Sequence, residues 1–163
     1  MSYSLRLFVL TCLCFLVLTF ALPASAGRQV PFKTDAALVS QPAPSNEGCP
    51  AGAVRFNVSG PGIASHMGKI TVSEYSCLQP DLTFVAYFTM TAANGDTISG
   101  SAAGYGVPTS PTTFTIHGSW TISGGTGRFS GESGSGTAIG EIDLVTGASP
   151  HHLEGTISTV GSN

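Results

Sequence analysis

Charged residues are scarce in this sequence. They make up 9% of the 163 residues, six basic against nine acidic, and the net charge is -3. Nucleic-acid binding requires a basic patch, and a coiled coil requires charges beside its apolar seam, so the composition argues against both. Hydrophobic residues nevertheless reach 42%, which argues against an acidic disordered chain. With 21 glycines and many Ser and Thr residues, the composition favours an all-β domain.

One long apolar run is present, at residues 7–22, behind the single basic residue Arg6. Pro23 ends the run, and residues 24–26 (Ala-Ser-Ala) give the small-x-small pattern that signal peptidase cuts after. A membrane anchor needs about 20 apolar residues, so an uncleaved anchor is the weaker alternative. The sequence predicts that residues 1–26 are a cleaved secretory signal and that the mature protein is secreted or periplasmic, with no membrane segment after cleavage.

Two of the four cysteines, Cys12 and Cys14, lie within the predicted signal. The remaining two, Cys49 and Cys77, enter a compartment that permits disulfides. A bridge between them closes a loop of roughly 30 residues, which the chain-entropy model values at roughly 3–4 kcal/mol. The alternative, a pair of metal ligands, lacks further ligands at metal-like spacing. The sequence therefore predicts a structural disulfide.

Period-two alternation dominates the second part of the chain. Residues 82–91 place Phe84, Phe88 and other apolar side chains on one face, and the following Asn94-Gly95-Asp96 is a strong hairpin signal. Residues 113–122 place Phe114 and Trp120 on one face in the same way. Weaker alternating runs cover residues 54–58, 69–76, 137–145 and 152–160, and no apolar stretch has helical period over three turns.

These patterns predict one all-β domain over residues 51–163, a single antiparallel barrel of seven or eight strands. Barrel closure removes exposed strand edges, and a β-sandwich is the alternative. Residues 27–50 contain four prolines and no clear periodicity, which predicts an extended arm before the barrel.

The glycine-rich segment 123–136 lacks both the Gly-Lys-Ser/Thr ending of a phosphate loop and the GxGxxG spacing. It is predicted to be a hairpin connection whose glycines adopt positive φ, with Arg128 holding a carbonyl or a carboxylate. The four histidines, His66, His117, His151 and His152, form no HxH or HxxxH pair and are interpreted as surface residues. No metal site and no cofactor is predicted.

Glu74 breaks the pattern of its strand, because it falls on the same face as the apolar Ile70 and Val72. A carboxyl that points into a barrel has a raised pKa unless it is paired, which suits a general acid or base. The alternatives are that Glu74 lies in water at the mouth of the barrel, or that it pairs with Arg55 or Arg128.

Two segments resemble a known family. Residues 124–129 (GGTGRF), followed by Ser130, Gly131 and Gly134, resemble the GGTGRFxGxxG signature of dirigent and allene oxide cyclase-like barrels. Residues 62–71 resemble the GxASHxGKxT stretch of small exported bacterial proteins. The resemblance implies an eight-stranded barrel with an apolar interior, which in the relatives binds apolar or aromatic molecules or steers their cyclisation. It also implies a homo-oligomer, a dimer or trimer.

The sequence analysis leaves three functional hypotheses. The first is a secreted barrel that binds a small apolar or aromatic ligand, or an extracellular partner, with Phe84, Phe88, Phe114 and Trp120 lining the interior. The second is a cyclase or isomerase that acts on an apolar substrate, with Glu74 as its polar group. The third is a structural or adhesion role on the cell surface.

A mass measurement tests the predicted processing. We expect the exported protein to begin at Gly27 and to weigh two hydrogen atoms less than its dithiol form, because the signal is cleaved and one disulfide forms. Intact-mass spectrometry before and after reduction measures both quantities. A chain that retains residues 1–26, or that gains no mass on reduction, would contradict the prediction.

Overall fold

Side chains alternate between interior and exterior along eight strands, which pair in chain order into a closed antiparallel barrel. The computed structural model describes residues 28–158; the predicted signal, residues 1–26, lies outside them. The strands are β1 (Gln29–Pro42), β2 (Val54–Ala64), β3 (Gly68–Leu78), β4 (Thr83–Ala92), β5 (Thr97–Pro108), β6 (Thr113–Gly125), β7 (Gly134–Asp143) and β8 (Ala148–Ser158). The predicted all-β barrel is confirmed, and the sandwich alternative is wrong. Within the described range no helix could cross a membrane.

The alternating runs form strands where they were predicted, although the strand ends differ. The first run was expected to begin at Leu82, but β4 begins at Thr83 because Leu82 has a φ of 67° and lies in the preceding turn. The predicted Asn94-Gly95-Asp96 turn joins β4 to β5, with Gly95 at a φ of 90°. The shorter runs belong to strands that extend beyond them, because barrel pairing continues where the side-chain pattern is weak.

The prediction of an extended arm over residues 27–50 is wrong for most of that segment. Residues 29–42 form β1, which pairs with β8 on one side and with β2 on the other, so the barrel begins at residue 29 rather than 51. Phe32, Ala36 and Leu38 alternate into the core. Small or polar residues occupy other inward positions of β1, so the period-two pattern of this strand is weak in the sequence.

The predicted disulfide between Cys49 and Cys77 is confirmed. Cys77 lies on the outward face of β3, yet it is 1% exposed because the β1–β2 loop folds over it. Arg55 contacts the same loop, because its Nη1 donates a hydrogen bond to the Glu47 carbonyl. The Arg55 guanidinium also lies 4.4 Å from the centroid of the Tyr75 ring. The disulfide therefore fixes the loop against the outside of the barrel.

The glycine-rich segment joins β6 to β7, as predicted, and it contains a short 3₁₀ helix at Gly127–Phe129. Gly127 and Gly131 adopt positive φ. Arg128 lies 3.5 Å from the Asp96 carboxylate, so the predicted carboxylate partner of Arg128 is confirmed. Phe129 is 3% exposed and packs into the end of the barrel beneath this connection.

The two ends of the barrel are packed differently. The end that carries the β2–β3, β4–β5 and β6–β7 connections, called the closed end here, is filled by buried side chains: Phe32, Met67, Ile98, Ile122, Phe129 and Ile157. Gln29 and Ser158 pair with each other at this end. The opposite end carries the β1–β2, β3–β4, β5–β6 and β7–β8 connections, is called the open end, and is less completely filled.

Trp120 divides the packed core from the less filled part. It is 1% exposed, its ring meets that of Phe32 edge-on with centroids 5.6 Å apart, and its Nε1 donates to the Thr137 carbonyl at 3.0 Å. The ring fits because Gly136 and Gly155, which pair across β7 and β8, present no side chain to it. A Cβ at either position would lie 2.7 Å from Trp120 Cζ2.

We expect Gly155→Ala to lower the free energy of unfolding by about 1–3 kcal/mol, the usual cost of overpacking a core. Its added methyl would meet both the Trp120 ring and the Gly136 Cα, the latter at 2.6 Å. Gly106→Ala is the matched control, because its methyl would have its nearest contact at 3.5 Å. Urea unfolding measures both variants. Equal stability of the two would contradict the proposed role of Gly155.

Candidate functional site

A cavity of about 220 Å³ occupies the open end of the barrel. Its walls come from the ends of several strands and from the β3–β4 and β7–β8 turns. The aromatic and aliphatic side chains that line it include Phe56, Leu82, Phe84, Phe114, Ile116 and Leu144. Ser40, Ser149 and His151 supply its polar groups. We call this space the mouth cavity.

A smaller chamber of about 50 Å³ lies deeper in the barrel, between the mouth cavity and the packed core. Phe84, Ile116 and His151 line both spaces, so the two are neighbouring parts of one interior. Trp120 and Phe88 lie along the inner chamber, and Glu74 and Thr34 contribute polar side chains to it. The barrel interior thus carries a mostly apolar cavity with a few inward polar groups, the composition typical of a small-molecule site.

The four aromatic residues predicted to line the interior all do so. Phe84 borders both spaces, Phe114 borders the mouth cavity, and Phe88 and Trp120 border the inner chamber. They project from β4 and β6. Contact of these rings with a ligand stays a prediction.

Glu74 points into the barrel, between Val58 of β2 and Phe88 of β4 in the strand register. The side chain borders the inner chamber and is half-buried. Desolvation raises the pKa of Glu74 from 4.5 to about 7. A carboxyl with that pKa exchanges a proton near neutral pH.

The alternatives that paired Glu74 with an arginine are wrong. Arg55 lies on the outer surface against Tyr75, because alternation along β2 turns it away from the interior. Arg128 lies beside Asp96 at the closed end. Neither guanidinium lines the chamber that contains Glu74.

His151 was interpreted as a surface histidine, and this interpretation is wrong. His151 shares the inward face of β8 with Ser149, Leu153 and Ile157, while His152 points outward as the alternation requires. The signal was present in the sequence, because Leu153 and Ile157 mark the apolar face two and six residues after His151.

Burial lowers the pKa of His151 from 6.5 to about 4, so its imidazole is neutral near pH 7. Its Nε2 lies 3.1 Å from the Ser149 hydroxyl, which orients the ring. This contact occupies one ring nitrogen and leaves Nδ1 for a ligand. His151 is therefore a neutral hydrogen-bonding group at the junction of the two spaces.

Two hydroxyls on β1 lie in the interior without a hydrogen-bond partner. Thr34 is 1% exposed and borders the inner chamber, while Ser40 is 5% exposed and borders the mouth cavity. A buried hydroxyl without a partner costs about 1–3 kcal/mol, which a polar atom of a ligand would offset. The sequence analysis missed both residues because it placed β1 outside the barrel.

Charged groups that form ion pairs lie outside the cavity. His152 contacts the Asp35 carboxylate at 2.7 Å and Glu154 at 3.3 Å, and Lys33 contacts Glu154 at 2.7 Å. The contact with Asp35, followed by that with Glu154, raises the pKa of His152. No group of three or more metal-ligating side chains occurs within residues 28–158.

A second buried acid, Glu132, lies at the closed end rather than in the cavity. It is 6% exposed, and its Oε2 has no hydrogen-bond partner. Burial raises its pKa, and the charges of His66 and Arg128 oppose that shift. Glu74 is the acid that borders the inner chamber.

The fold is shared with dirigent proteins. The pterocarpan synthase dirigent protein PsPTS1 superimposes with a TM-score of 0.50 at 13% identity, covering 85% of this chain and 98% of that one. The pterocarpan synthase dirigent protein GePTS1 gives a TM-score of 0.47 at 17% identity, over 83% of this chain and 87% of that one. Neither a protein-family model nor a curated protein sequence matches this chain. Identity this low shows a common barrel fold and does not transfer an activity.

The pKa shifts of Glu74 and His151 predict opposite effects of pH on stability. Glu74 stays protonated to a higher pH in the folded state than in the unfolded chain. The contribution of Glu74 to the free energy of unfolding therefore falls as pH rises from 4.5 to about 7. The folded state protonates His151 only at a lower pH than the unfolded chain does. The contribution of His151 to the free energy of unfolding therefore falls as pH drops from 6.5 to about 4. Each effect amounts to about 3 kcal/mol.

Urea unfolding across this pH range, compared with the wild type, separates the two effects. The free energy of unfolding of the wild type minus that of Glu74→Gln should decrease with rising pH. The same difference between the wild type and His151→Gln should increase with rising pH. Glu47→Gln, in the exposed β1–β2 loop, is the control for loss of a carboxyl and should follow the wild type. Parallel curves for all four proteins would show that neither group titrates abnormally.

Proposed function

We propose that this protein is exported and holds a small apolar or aromatic molecule inside its barrel. The observation that carries the proposal is the interior cavity, walled by Phe84, Phe114 and Ile116 and bordered by a few polar groups. Small barrels are able to fill their interior with side chains, and this barrel does so at one end only. The unfilled space therefore favours ligand binding over a purely structural or adhesion role.

The packing of the two ends supports one direction of access. At the closed end Phe129 and Met67 are 3% and 4% exposed and leave no path for a ligand. The mouth cavity lies among the turns of the open end, so a ligand enters there and meets Phe84 and His151 before it reaches Trp120. The polar groups along this route orient the ligand, and the rings supply the apolar contact.

The size of the interior limits the ligand. Sites for drug-sized molecules span about 300–1,000 Å³, and the mouth cavity is smaller than that range. A compound of one or two rings fits the mouth cavity, with one polar group directed toward the inner chamber. A large lipid would extend out of the barrel.

Export is part of the proposal. The predicted signal at residues 1–26 supports it, as does the Cys49–Cys77 disulfide, since such bonds persist in oxidising compartments. The GGTGRF and GxASHxGKxT motifs support a place among small exported bacterial barrels.

A cyclase or isomerase is the second candidate function. The inward position of Glu74 favours it, because a carboxyl with a pKa of about 7 is suited to proton transfer. His151, at the junction of the two spaces, adds a second titratable group.

A cavity-filling variant tests ligand binding. We expect the wild type to bind 1-naphthylamine, an uncharged two-ring probe whose emission shifts to shorter wavelength in apolar surroundings, and Gly106→Phe to weaken binding about tenfold or more because its ring occupies the mouth cavity. Val107→Phe adds the same ring at the next residue, which is 42% exposed on the outside, and should bind as the wild type does. Equal binding by both variants would place the probe elsewhere, and absence of binding to the wild type would refute the proposal.

A further inference from the structure

Glu74 and His151 approach the same chamber from different walls of the barrel. Glu74 lies on β3 and His151 on β8, and β1 and β2 separate the two strands in the sheet. Both side chains point inward and border the inner chamber. His151 also borders the mouth cavity, so a ligand that lies in that cavity and extends a polar group into the inner chamber would meet both side chains.

Within residues 28–158, no other ionisable group lines the chamber around the pair. Val58 and Phe88 flank Glu74 on β2 and β4. Ala36 and Gly140 flank His151 on β1 and β7. The chamber walls contributed by β5 and β6 are also uncharged, with Ala102, Ile116 and Trp120. Among the described residues, the other polar side-chain groups that line the chamber are the Thr34 hydroxyl and the Trp120 indole N–H, which donates to the Thr137 carbonyl.

These surroundings set the protonation states. Between about pH 4 and about pH 7 the Glu74 carboxyl keeps its proton and the His151 imidazole is neutral, because burial raises the pKa of the acid and lowers that of the base. When His151 Nε2–H donates to the Ser149 hydroxyl, Nδ1 carries the free lone pair. A proton donor and a proton acceptor therefore coexist in one apolar space.

We infer that Glu74 and His151 act as general acid and general base in proton transfer on a small uncharged ketone held between them. The inference rests on the proposed ligand-binding function and deepens it to a substrate class. The ketone is uncharged because no cation borders either space to hold a carboxylate. It is small because of the size of the interior.

The step balances without a co-reactant. His151 Nδ1 takes a proton from the carbon next to the carbonyl, and the C–H electron pair forms the carbon–carbon double bond of an enol. The Glu74 carboxyl donates its proton to the carbonyl oxygen as the carbonyl π bond breaks. The product is the enol, with an imidazolium and a carboxylate, and reversal regenerates both groups. Return of a proton to a different carbon of an unsaturated ketone would move its double bond, which is an isomerisation.

Deuterium exchange tests the inference. Purified, oxidised protein is incubated with cyclohexanone in deuterated water, and NMR follows loss of the protons beside the carbonyl. We expect exchange above the buffer rate with a bell-shaped pH profile, rising through about pH 4 as His151 becomes neutral and falling through about pH 7 as Glu74 ionises. The profile of the wild type tests the idea whether or not the variants fold.

Variants assign the roles. Glu74→Gln and His151→Gln should each lower the protein-dependent exchange rate about a hundredfold or more, since neither amide transfers a proton. Glu47→Gln in the outer loop and His117→Gln on the outer face of β6 are matched controls and should exchange as the wild type does. Circular dichroism establishes that each variant is folded.

The outcomes separate the two claims. A bell-shaped profile that both interior variants abolish supports the inference. Binding of 1-naphthylamine without exchange, or exchange that the interior variants leave unchanged, overturns the acid–base inference and leaves the proposed ligand-binding function standing. Absence of binding by the wild type overturns both.

Discussion

The pairing of β1 with both β8 and β2 closes the sheet, and every feature of the interior depends on that closure. β1 pairs with β8 from Gln29↔Ser158 to Val39↔Ala148, which joins the two ends of the described chain. Without these hydrogen bonds β2 and β8 would be exposed edges, and the inward faces of all eight strands would meet water. Closure turns those faces into one desolvated interior, where an acid and an imidazole acquire shifted pKa values.

The sequence pattern predicted the barrel because most strands show period two plainly. In β4 and β6, apolar residues recur on one face with period two, and the alternation identifies Phe84, Phe88, Phe114 and Trp120 as interior residues without reference to a structure. β1 escaped prediction because its inward positions include Thr34 and Ser40. In a sequence, hydroxyl side chains indicate positions that face solvent. The closure of the barrel is what places these two hydroxyls inside.

The candidate site was predictable in part, for the same reason. Glu74 interrupts a run of apolar residues, and that conflict within a single strand marks it as unusual. His151 shares a face with the apolar Leu153 and Ile157, but Pro150 before it and His152 after it obscure that signal. Its role appears when β8 is laid beside β7 and β1, so it depends on contacts between residues far apart in sequence. The distances, burial and pKa shifts of both groups likewise arise from the assembled barrel.

The unequal packing of the two ends also fixes where other molecules can be attached. Gln29 and Ser158 lie side by side at the closed end, on the far side of the Trp120 layer from the mouth cavity. A fusion partner or a surface linker attached next to Gln29 or Ser158 therefore leaves the open end facing away from the attachment. Immobilised at either of these residues, the barrel would present its opening to the solution, which makes it suited to capture experiments on a surface.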